Sequence, residues 1–478
     1  MNPWLARVYD RIPGGARSVA ASLRGLYLRS WRYGSDTERL VEQALERERW
    51  SAETWQRWQE ERLAYVLERA ATQVPYYRDQ WTARRRNGDR ASWELLENWP
   101  VLEKEPLRRN PRLFLADDCN VRKLFHEHTS GTSGTPLDLW WSRSTVRAWY
   151  ALFEARWRRW YGVTRGDRWA ILGGQLVKPV REQKPPFWVW NAASSQLYMS
   201  SYHLAPQWLP HFLRAMERYK IRYLFGYTSA LHALAQGAAS VDFGRLELAV
   251  AITNAEPVLD YQREAIAGAF GCPVRETYGM SEIVAAAGEC EAGRLHLWPE
   301  VGWLEVREGT DPVSRGRSGE FISTGLLNAD MPLIRYRAGD RGALPVEEHP
   351  CQCGRTLPTV AYIEGRMDDV LYTRDGRRVG RLDPVFKGRI AIREAQVIQD
   401  ALDIVRLRYV PAEGFSDADT DSIVTGLRAR LGSVRVIVER VEAIPKTANG
   451  KFRAVICNID PDELRRIRAD SLCATPDA

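Results

Sequence analysis

The chain has 478 residues, of which 45% are hydrophobic and 10% aromatic, a composition that excludes a wholly disordered protein. This length is too great for one compact core and is sufficient for two or three domains. With 68 Lys and Arg against 61 Asp and Glu, the net charge of +7 permits binding to nucleic acid or an anionic membrane but requires neither.

The first 47 residues are predicted to form a basic helical extension. The first 34 residues contain six arginines, and Asp10 is the only acidic residue among them. A segment of this kind is suited to lie on a membrane surface, so peripheral membrane contact is one expectation for it. No apolar run approaches the roughly 20 residues of a spanning helix, and residues 18–23 (SVAASL) are too short for a signal-peptide core.

Residues 36–71 have the apolar spacing of helices, with a break and a new N-cap at Ser51 and a stop before Pro75. From there to about residue 360, short β-rich runs alternate with helical ones, which indicates an α/β domain with mixed sheets. A strand, a helix and a strand then predict a smaller α+β domain. We place the extension at 1–47, the large domain at 48–365 and the small C-terminal domain at 366–478, which the resemblance given below implies is a mobile lid.

Residues 128–136 read HTSGTSGTP and form a loop rich in hydroxyl groups. A Walker loop would need a lysine and an immediate helix, whereas here Pro136 leads into LDLWW, which is typical of a strand. The hydroxyls, with backbone amides made accessible by Gly131 and Gly134, are suited to surround a polyphosphate. An ordinary surface turn is the alternative on this stretch alone.

Four further stretches carry groups that suit nucleotide chemistry, although each is weak by itself. TYGMSE (277–282) places an aromatic ring, a glycine and a carboxylate together after a β-like run. YRAGDRG (336–342) presents Asp340 at a glycine turn, where a carboxylate can accept both hydroxyls of a ribose. IEGRMDD supplies Arg366, and IPKTANGKFR supplies Lys451 on a loop.

In this order, over residues 128–453, the motifs resemble the adenylate-forming superfamily of acyl-CoA synthetases, adenylation domains and luciferases. Within it the chain is most similar to the phenylacetate-CoA ligase branch and its capsular-polysaccharide-type relatives. That similarity is carried by VPYYR, FGYTSAL, AEP at 255–257, IREAQVIQD and CQCGR. The resemblance does not cover the N-terminal extension.

The resemblance implies a role for each matching residue. The ATP phosphates would be bound by the loop residues Thr129, Ser130, Gly131, Thr132, Ser133 and Gly134. The adenosine would be bound by Glu256 and Pro257 beside the adenine, Tyr278 stacked on it next to Gly279, Asp340 at the ribose, and Arg366 at ribose or phosphate. Glu282 would help to hold Mg²⁺, Asp368 would be the hinge, and Lys451 would bridge the substrate carboxylate and the α-phosphate. The loop departs from many members of the superfamily because no lysine follows Pro136.

The implied activity is an ATP-dependent, AMP-forming carboxylic acid ligase that transfers the acyl group to CoA. An aromatic or aryl-acetic acid is the expected substrate class, with Tyr227 a candidate to line its pocket. An amine, a carrier-protein thiol or a sugar hydroxyl is the alternative acceptor. Relatives suggest a homodimer, and seven cysteines without regular spacing agree with a cytoplasmic location.

A second set of residues predicts a structural Zn²⁺ site. Cys290 and His296 enclose five residues, and Cys351 and Cys353 enclose one residue some sixty positions later. Three thiolates and an imidazole complete a tetrahedral set, and similar ligands occur in the resembled branch. The alternative is that the four residues are unrelated.

A zinc-stapled binding module without catalysis is the rival function. It would cluster basic residues and aromatics near the metal ligands, as nucleic-acid-binding modules do. The surrounding VEEHPCQCGRTLP carries two glutamates and little basic charge. We therefore expect no nucleic-acid partner. The tryptophans beside arginine or another tryptophan, such as Trp140, Trp141, Trp157 and Trp160, are interpreted as half-buried surface anchors.

Overall fold

The computed structural model describes residues 14–88, 95–128, 137–174, 177–178, 182, 184–204, 206–238, 246–366, 371–373, 378–379, 392–445 and 453–460. The chain divides into two compact units, residues 1–257 with 265–363, and residues 258–264 with 364–478. The predicted fold class is confirmed: a large unit with mixed sheets and helices precedes a small α+β unit. The three domain ranges drawn from the sequence remain a prediction.

The N-terminal part of the large unit is helical. Its α-helices are α1 (Gly14–Arg32), α2 (Thr37–Arg47), α3 (Ala52–Gln73), α4 (Pro75–Arg86) and α5 (Lys104–Arg109). The predicted break at Ser51 is confirmed, since the Thr54 backbone N–H donates to Ser51 Oγ at 3.1 Å and caps α3. A new helix then begins at Pro75, the position at which proline is best tolerated in a helix.

A nine-stranded sheet forms the centre of the large unit, with the order β15-β10-β9-β8-β7-β6-β3-β5-β4. Strands β5, β3, β6, β7 and β8 are parallel neighbours in that order, and the strands beyond them on both sides pair antiparallel. The bounds are β3 (Trp169–Gly173), β4 (Trp188–Asn191), β5 (Gln196–Ser200), β6 (Tyr223–Tyr227), β7 (Val250–Asn254), β8 (Val274–Gly279), β9 (Ala286–Glu289), β10 (Leu295–Leu297) and β15 (Thr359–Val360). The helices between them are α6 (Arg143–Trp157), α7 (Leu209–Arg218), α8 (Thr228–Ala238) and α9 (Asp260–Phe270).

Two antiparallel sheets and several short 3₁₀ turns accompany this centre. One sheet pairs β1 (Phe125–His128) with β2 (Asp138–Trp141), so a strand follows the hydroxyl-rich loop, as the sequence predicted. The other has the order β12-β11-β13-β14-β16, with β11 (Gly302–Glu308), β12 (Asp311–Pro312), β13 (Gly319–Gly325), β14 (Tyr336–Ala343) and β16 (Tyr362–Arg366). The 3₁₀ turns are Leu96–Asn98, Pro111–Phe114, Val121–Lys123, Arg159–Tyr161, Ala192–Ser194, Ser201–His203 and Pro206–Trp208.

The small unit contains a four-stranded sheet with the order β21-β20-β19-β22 and a helix, α10. Their bounds are β19 (Ile392–Ala401), β20 (Ile404–Pro411), α10 (Asp417–Leu431), β21 (Arg435–Arg440) and β22 (Val455–Cys457), next to the short pair β17 (Leu371–Tyr372) and β18 (Arg378–Val379). The buried Gln399 side chain exchanges two 2.7 Å hydrogen bonds with the Tyr372 backbone, which ties β17 to β19.

The interpretation of the tryptophans as half-buried anchors is wrong for most of those named. Trp140, Trp141 and Trp157 are buried, and only Trp160 is half-buried. Trp157 packs on Trp298 with ring centroids 4.8 Å apart, and its indole N–H donates to the Ala287 carbonyl at 3.0 Å. Burial is possible because that carbonyl satisfies the one polar group of the ring.

Within the described residues, every helix is too short or too polar to cross a lipid bilayer.

Candidate functional site

The carboxyl ends of three neighbouring parallel strands bring predicted motifs to one edge of the central sheet. β6 ends at Tyr227, β7 ends at Asn254 just before AEP, and β8 ends at Gly279 within TYGMSE. Because β6, β7 and β8 are adjacent and parallel, these ends lie side by side. In open α/β sheets, ligands bind outside the carboxyl ends of the strands. This edge is therefore the candidate active site.

Glu256, after β7, is anchored to the first turn of α8. The Ser229 backbone N–H donates to Glu256 Oε2 at 2.8 Å, and Ser229 Oγ donates to Oε1 at 3.1 Å. Thr228 Oγ1 also donates to the Glu256 carbonyl at 3.0 Å. A carboxylate at a helix N-terminus is stabilised by the exposed amides and the helix dipole. The preceding Ala255 has φ of 63°, a strained value for a residue with Cβ, so the turn before the exposed Pro257 is held in place by these bonds.

Tyr278, at the end of β8, contacts Asp340 of β14. The Tyr278 hydroxyl donates to Asp340 Oδ2 at 2.9 Å, although the two residues are 62 positions apart. Gly339 has φ of 85°, the left-handed conformation that turns the backbone before this aspartate and that glycine adopts without strain. Both side chains are half-buried and Gly279 is exposed, so an aromatic ring and a carboxylate meet at an accessible edge.

Glu282 contacts the same strand, β14, through a second tyrosine. The buried Tyr336 hydroxyl donates to Glu282 Oε1 at 3.0 Å, which orients the half-buried carboxylate. Ile283, next in the chain, has φ of 47°, a left-handed value that is unusual for a β-branched residue. The YGMSE and YRAGD motifs are therefore joined twice, by Tyr278 to Asp340 and by Tyr336 to Glu282.

The remaining predicted residues of the nucleotide site are less completely described. Tyr227 is buried, and burial raises the pKa of its hydroxyl to about 12, so it stays neutral. Arg366 is the last residue of β16. The loop residues Thr129 to Gly134, the hinge residue Asp368 and Lys451 lie outside the described residues.

The four predicted zinc ligands meet in one cluster. Their ligand atoms all lie within 4.8 Å of one another, with Cys290, His296 and Cys351 buried and Cys353 half-buried. Antiparallel pairing explains this proximity: β10 carries His296, β9 ends just before Cys290, and β15 follows the CQC turn and pairs with β10. Cys290 Sγ lies 3.6 Å from Cys351 Sγ, and Cys353 Sγ lies 3.4 Å from His296 Nε2.

These distances fit a tetrahedral Zn²⁺. Bond lengths of about 2.3 Å to sulfur and 2.0 Å to nitrogen give ligand separations of about 3.8 Å between sulfurs and 3.5 Å between sulfur and nitrogen. His296 Nδ1 lies 2.9 Å from the Leu357 carbonyl, so it carries the proton and Nε2 is left to bind metal. Burial lowers the pKa of His296, which keeps the imidazole neutral as a metal ligand must be.

The pKa values of the cysteine thiols indicate that a bound cation would stabilise this cluster. Burial raises the pKa of Cys290 to about 12, against the opposing hydrogen bonds from backbone N–H groups. Burial also acts to raise the pKa of Cys351, but hydrogen bonds from the Cys353 backbone and from neighbouring thiols outweigh it and lower that pKa. A bound divalent cation offsets the cost of buried thiolates.

The CQCGR turn is also held by residues outside the cluster. Arg355 Nε donates to Glu48 Oε2 at 3.2 Å, and its guanidinium stacks over the Trp160 ring at 4.3 Å. The Trp160 indole donates to Glu48 Oε1 at 2.8 Å, and the Thr356 backbone N–H donates to the Glu48 carbonyl. Burial raises the pKa of Glu48, although Arg156 and the other donors act against it. The turn is thus attached to the end of α2.

Comparison with known proteins gives matches across most of the chain. The family model described as the CapK C-terminal domain matches residues 371–458. Protein CapK of Staphylococcus aureus is 27% identical over 75% of this chain and 80% of its own length. The phenylacetate-coenzyme A ligase of Escherichia coli K12 is 26% identical over 68% of this chain and 74% of its own length. The corresponding enzyme of Thermus thermophilus is 34% identical, but over 27% of this chain and 30% of its own length.

A comparison with solved structures also finds CoA ligases. A 2-hydroxyisobutyryl-CoA ligase, crystallised in the postadenylation state with R3-HIB-AMP, aligns with a TM-score of 0.67 at 20% identity. The alignment covers 90% of this chain and 94% of that one. The chain is a relative of CapK and the phenylacetate-CoA ligases, with the adenylate-forming ligase fold. The resemblance inferred from the motifs is thereby confirmed.

In this relative of CapK, the structure brings Tyr278, Glu282 and Asp340 together and anchors Glu256 on the adjacent strand ends. Sequence reasoning did not single out Ser229 and Tyr336, which hold Glu256 and Glu282. Both lie inside motifs that were identified, FGYTSAL and YRAGD, but nothing in the sequence indicates which carboxylate each would contact. Likewise, Glu48 precedes the CQCGR turn by some three hundred residues, and no local pattern connects them.

Proposed function

We propose that the chain is an ATP-dependent, AMP-forming carboxylic acid ligase. The acid attacks the α-phosphorus of ATP, pyrophosphate leaves, and a nucleophile then displaces AMP from the acyl-adenylate. The contact between Tyr278 and Asp340 carries this proposal, because it brings an adenine-stacking ring and a ribose-binding carboxylate together at the carboxyl edge of the sheet. Two comparisons support the proposal: the chain is related to the phenylacetate-CoA ligases, and the 2-hydroxyisobutyryl-CoA ligase was crystallised with an acyl-adenylate.

In this proposal, the adenosine is bound by the strand-end residues. Tyr278 stacks on the adenine, the segment of Glu256 and Pro257 borders its edge, and Gly279 leaves room for the ring. Asp340 accepts the ribose hydroxyls, and Arg366 binds ribose or phosphate. The loop from Thr129 to Gly134 donates hydrogen bonds to the phosphates, as loops with exposed amides and hydroxyls do elsewhere.

Glu282 is the proposed Mg²⁺ ligand. Its carboxylate oxygens are the hard ligands that Mg²⁺ prefers, and the hydrogen bond from Tyr336 sets its orientation. Mg²⁺, when bound, would neutralise part of the charge on the phosphates. Glu282 would hold the Mg²⁺ ion near the end of β8.

Lys451 is the proposed catalytic cation. A carboxylate that attacks a phosphate brings two anions together, and a positioned ammonium group offsets the charge that accumulates in the transition state. Such an interaction contributes several kcal/mol in other enzymes, which corresponds to a loss on the order of 100-fold or more on removal.

The structural Zn²⁺ site forms part of the same proposal. The metal would be held by Cys290, His296, Cys351 and Cys353, with no ligand position left open for substrate. Its role would be to fasten the β9–β10 hairpin, which follows YGMSE, to the turn before β15. Zinc is therefore a structural and not a catalytic component.

A pyrophosphate-release screen over carboxylic acids, without an acceptor, tests the first half-reaction. We expect release with at least one aromatic or aryl-acetic acid and a fall of about 100-fold or more in Lys451→Ala. Lys446→Ala, on the same IPKTANGK segment, is the matched control and should retain most of the activity. Failure of every acid, in a folded protein that binds ATP, would contradict the proposal and favour the binding module.

The acceptor is proposed to be CoA, because several relatives carry CoA in their names. The relationship to CapK, whose name specifies no acceptor, is the observation that favours a second class, namely an amine, a carrier-protein thiol or a sugar hydroxyl. Mass spectrometry of the products, with the active acid and each acceptor in turn, distinguishes them. Thioester formation with CoA supports the first proposal, and its absence alongside an ester or amide supports the second. A cytoplasmic location and a homodimer remain expectations.

A further inference from the structure

We propose that the N-terminal helix α1 docks this protein on an anionic phospholipid bilayer. Four apolar side chains of the helix point away from the protein, whereas Trp31 near its end packs on Phe125. Val19, Leu23, Leu26 and Tyr27 are between 56% and 63% exposed, and we call these four residues the outer face of α1. They occupy positions i, i+4, i+7 and i+8, so they form one continuous stripe along the helix.

The opposite side of α1 contacts the protein through small and polar residues. The Trp190 backbone N–H donates to Ser18 Oγ at 3.2 Å, and the Ala192 backbone N–H donates to Ser22 Oγ at 3.0 Å. At Gly25 the helix approaches so closely that a Cβ would lie 2.1 Å from Asn191 Oδ1. A larger residue at this position would require the buried Asn191 side chain to move.

These contacts explain why the apolar stripe stays outside. β4 is the edge strand of the central sheet, and α1 lies beside it and accepts hydrogen bonds from one amide of β4 and from one amide of the 3₁₀ turn that follows. Rotating the helix to bury the outer face would break both hydrogen bonds and place bulky side chains where Gly25 lies. The usual orientation of an amphipathic helix on a protein is thus reversed, and an apolar stripe of this kind marks an interaction surface.

The charges around the stripe indicate its partner. The segment Gly14–Arg32 has four arginines and no acidic residue. Arg17 pairs with Glu182 and Arg32 lies over the Tyr150 ring, so the exposed arginines are Arg24 and Arg29, of which Arg29 also donates to the Ala193 carbonyl. At 100° per residue, the exposed Arg24 and Arg29 fall on opposite sides of the outer face. An apolar face bordered by arginines is the pattern of helices that lie in the plane of a membrane, where the guanidinium groups meet anionic headgroups. The preceding residues of the chain add Arg7 and Arg11 to the same basic segment.

A second copy of the chain fits this surface less well. Two outer faces packed together would bring Arg24 and Arg29 of both copies into one interface. The helix has no acidic residue to pair with them, so like charges would be desolvated together. A phospholipid surface instead supplies both the apolar layer and the opposite charge.

Cosedimentation of the full chain with lipid vesicles tests this proposal. One set of vesicles contains phosphatidylcholine with about 30% phosphatidylserine, the other phosphatidylcholine alone, and neither nucleotide nor acid is present. We expect binding to the anionic vesicles and a loss of about 10-fold or more in the double variant Leu23→Ser with Leu26→Ser. Leu113→Ser with Val346→Ser, also at exposed apolar positions, is the matched control and should bind as the wild type does.

The charge contribution is tested separately. Arg24→Gln should weaken binding to the anionic vesicles about fivefold, whereas Arg57→Gln, at an exposed position on α3, should leave it unchanged. Thermal unfolding checks that every variant is folded. Wild-type protein that stays in the supernatant with both kinds of vesicle overturns the proposal, as does equal binding by the Leu23→Ser and Leu26→Ser double variant. A dimer in sedimentation velocity that this double variant abolishes, without vesicle binding, would assign the face to a second copy instead.

The readout is independent of catalysis. Vesicle binding is measured without substrates, so its failure leaves the proposed ligase activity intact, and an inactive ligase can still bind vesicles.

Discussion

At the scale of single residues, the candidate site depends on tyrosine hydroxyls that hold carboxylates. Tyr278 donates to Asp340 and Tyr336 donates to Glu282, so each predicted carboxylate has an oriented donor. Such bonds reduce the number of side-chain orientations, which limits the entropy lost when a ligand binds. These carboxylates of the candidate site are therefore already oriented without a bound ligand.

Substitutions at this pair test the proposed binding of the ribose by Asp340 and the role of Tyr278 in orienting that carboxylate. Asp340→Ala removes a charged acceptor for the ribose hydroxyls and should raise the KM for ATP by about 10-fold or more. Tyr278→Phe removes only the hydroxyl that orients Asp340, and it should raise the KM for ATP about threefold to fivefold. Steady-state pyrophosphate release measures both. An unchanged KM in Asp340→Ala would show that this carboxylate does not bind ATP.

His232 of α8, the helix whose first turn holds Glu256, should make stability depend on pH. Burial lowers the pKa of His232 to about 4, from an ordinary value near 6.5. Because the folded-state pKa is depressed, its contribution is fully present above pH 6.5 and is lost as the pH falls towards 4. The full effect is about 3 kcal/mol.

Melting temperatures between pH 7 and pH 4 check this expectation. His232→Gln should show a shallower decline over that range than the wild type, whereas His349→Gln, at an exposed position, should follow the wild type. Identical slopes for the wild type and His232→Gln would rule out this histidine as the source.

At the scale of elements, the Cys and His cluster joins strands that short-range pairing connects only weakly. β10 has three residues and β15 has two, so few backbone hydrogen bonds hold them together. A tetrahedral metal bound by this cluster would link the β9–β10 hairpin to the CQCGR turn, with two bonds to each. Arg355, Glu48 and Trp160 fasten the same turn to α2 and to the 3₁₀ turn after α6.

Removal of the metal should therefore loosen these elements. Purified protein should contain close to stoichiometric zinc, and Cys353→Ser should lose most of it and melt on the order of 5 °C lower. Cys119→Ser, at another half-buried cysteine, is the control and should keep its zinc. Elemental analysis with a melting curve measures both, and zinc-free wild-type protein of unchanged melting temperature would refute the site.

At the scale of the whole molecule, the chain combines two compact units with a helical N-terminal part. The first reaction step needs a site that excludes water, because the acyl-adenylate is readily hydrolysed, and the second must admit an acceptor. The resemblance implies a hinge at Asp368, at the start of the C-terminal domain. Rotation about the backbone at that residue is the proposed way to serve both.

Asp368→Pro tests the hinge, because proline restricts φ to about −65°. We expect pyrophosphate release within about threefold of the wild type, but a fall of about 10-fold or more in transfer to the acceptor. Asp368→Ala, which keeps rotational freedom, should retain both steps. Equal losses in the two half-reactions of Asp368→Pro would argue against a hinge at this position.

Much of the fold could be predicted because it depends on local patterns. Ser51 has an oxygen at the right position to cap α3, and the runs of β6, β7, β13 and β20 are rich in aromatic or β-branched residues. The clustering of Cys290, His296, Cys351 and Cys353 could be predicted because few residue types bind zinc, and their short internal spacings suit two turns. The tryptophans were misjudged because burial of an indole depends on packing with residues distant in the sequence, such as Trp298 and the Ala287 carbonyl for Trp157.

The sequence by itself determined which chemical groups are present along the chain: a basic first segment, a hydroxyl-rich loop, two carboxylate motifs, and three cysteines with a histidine at spacings that suit a metal. Only the tertiary structure decided which groups meet, such as Tyr278 with Asp340 or Cys290 with Cys351, and that α1 turns its apolar side outward. The physical reason is the distance along the chain over which each interaction acts. Helix caps, turns and strand patterns arise within a few residues, whereas strand order and close packing join positions tens or hundreds of residues apart.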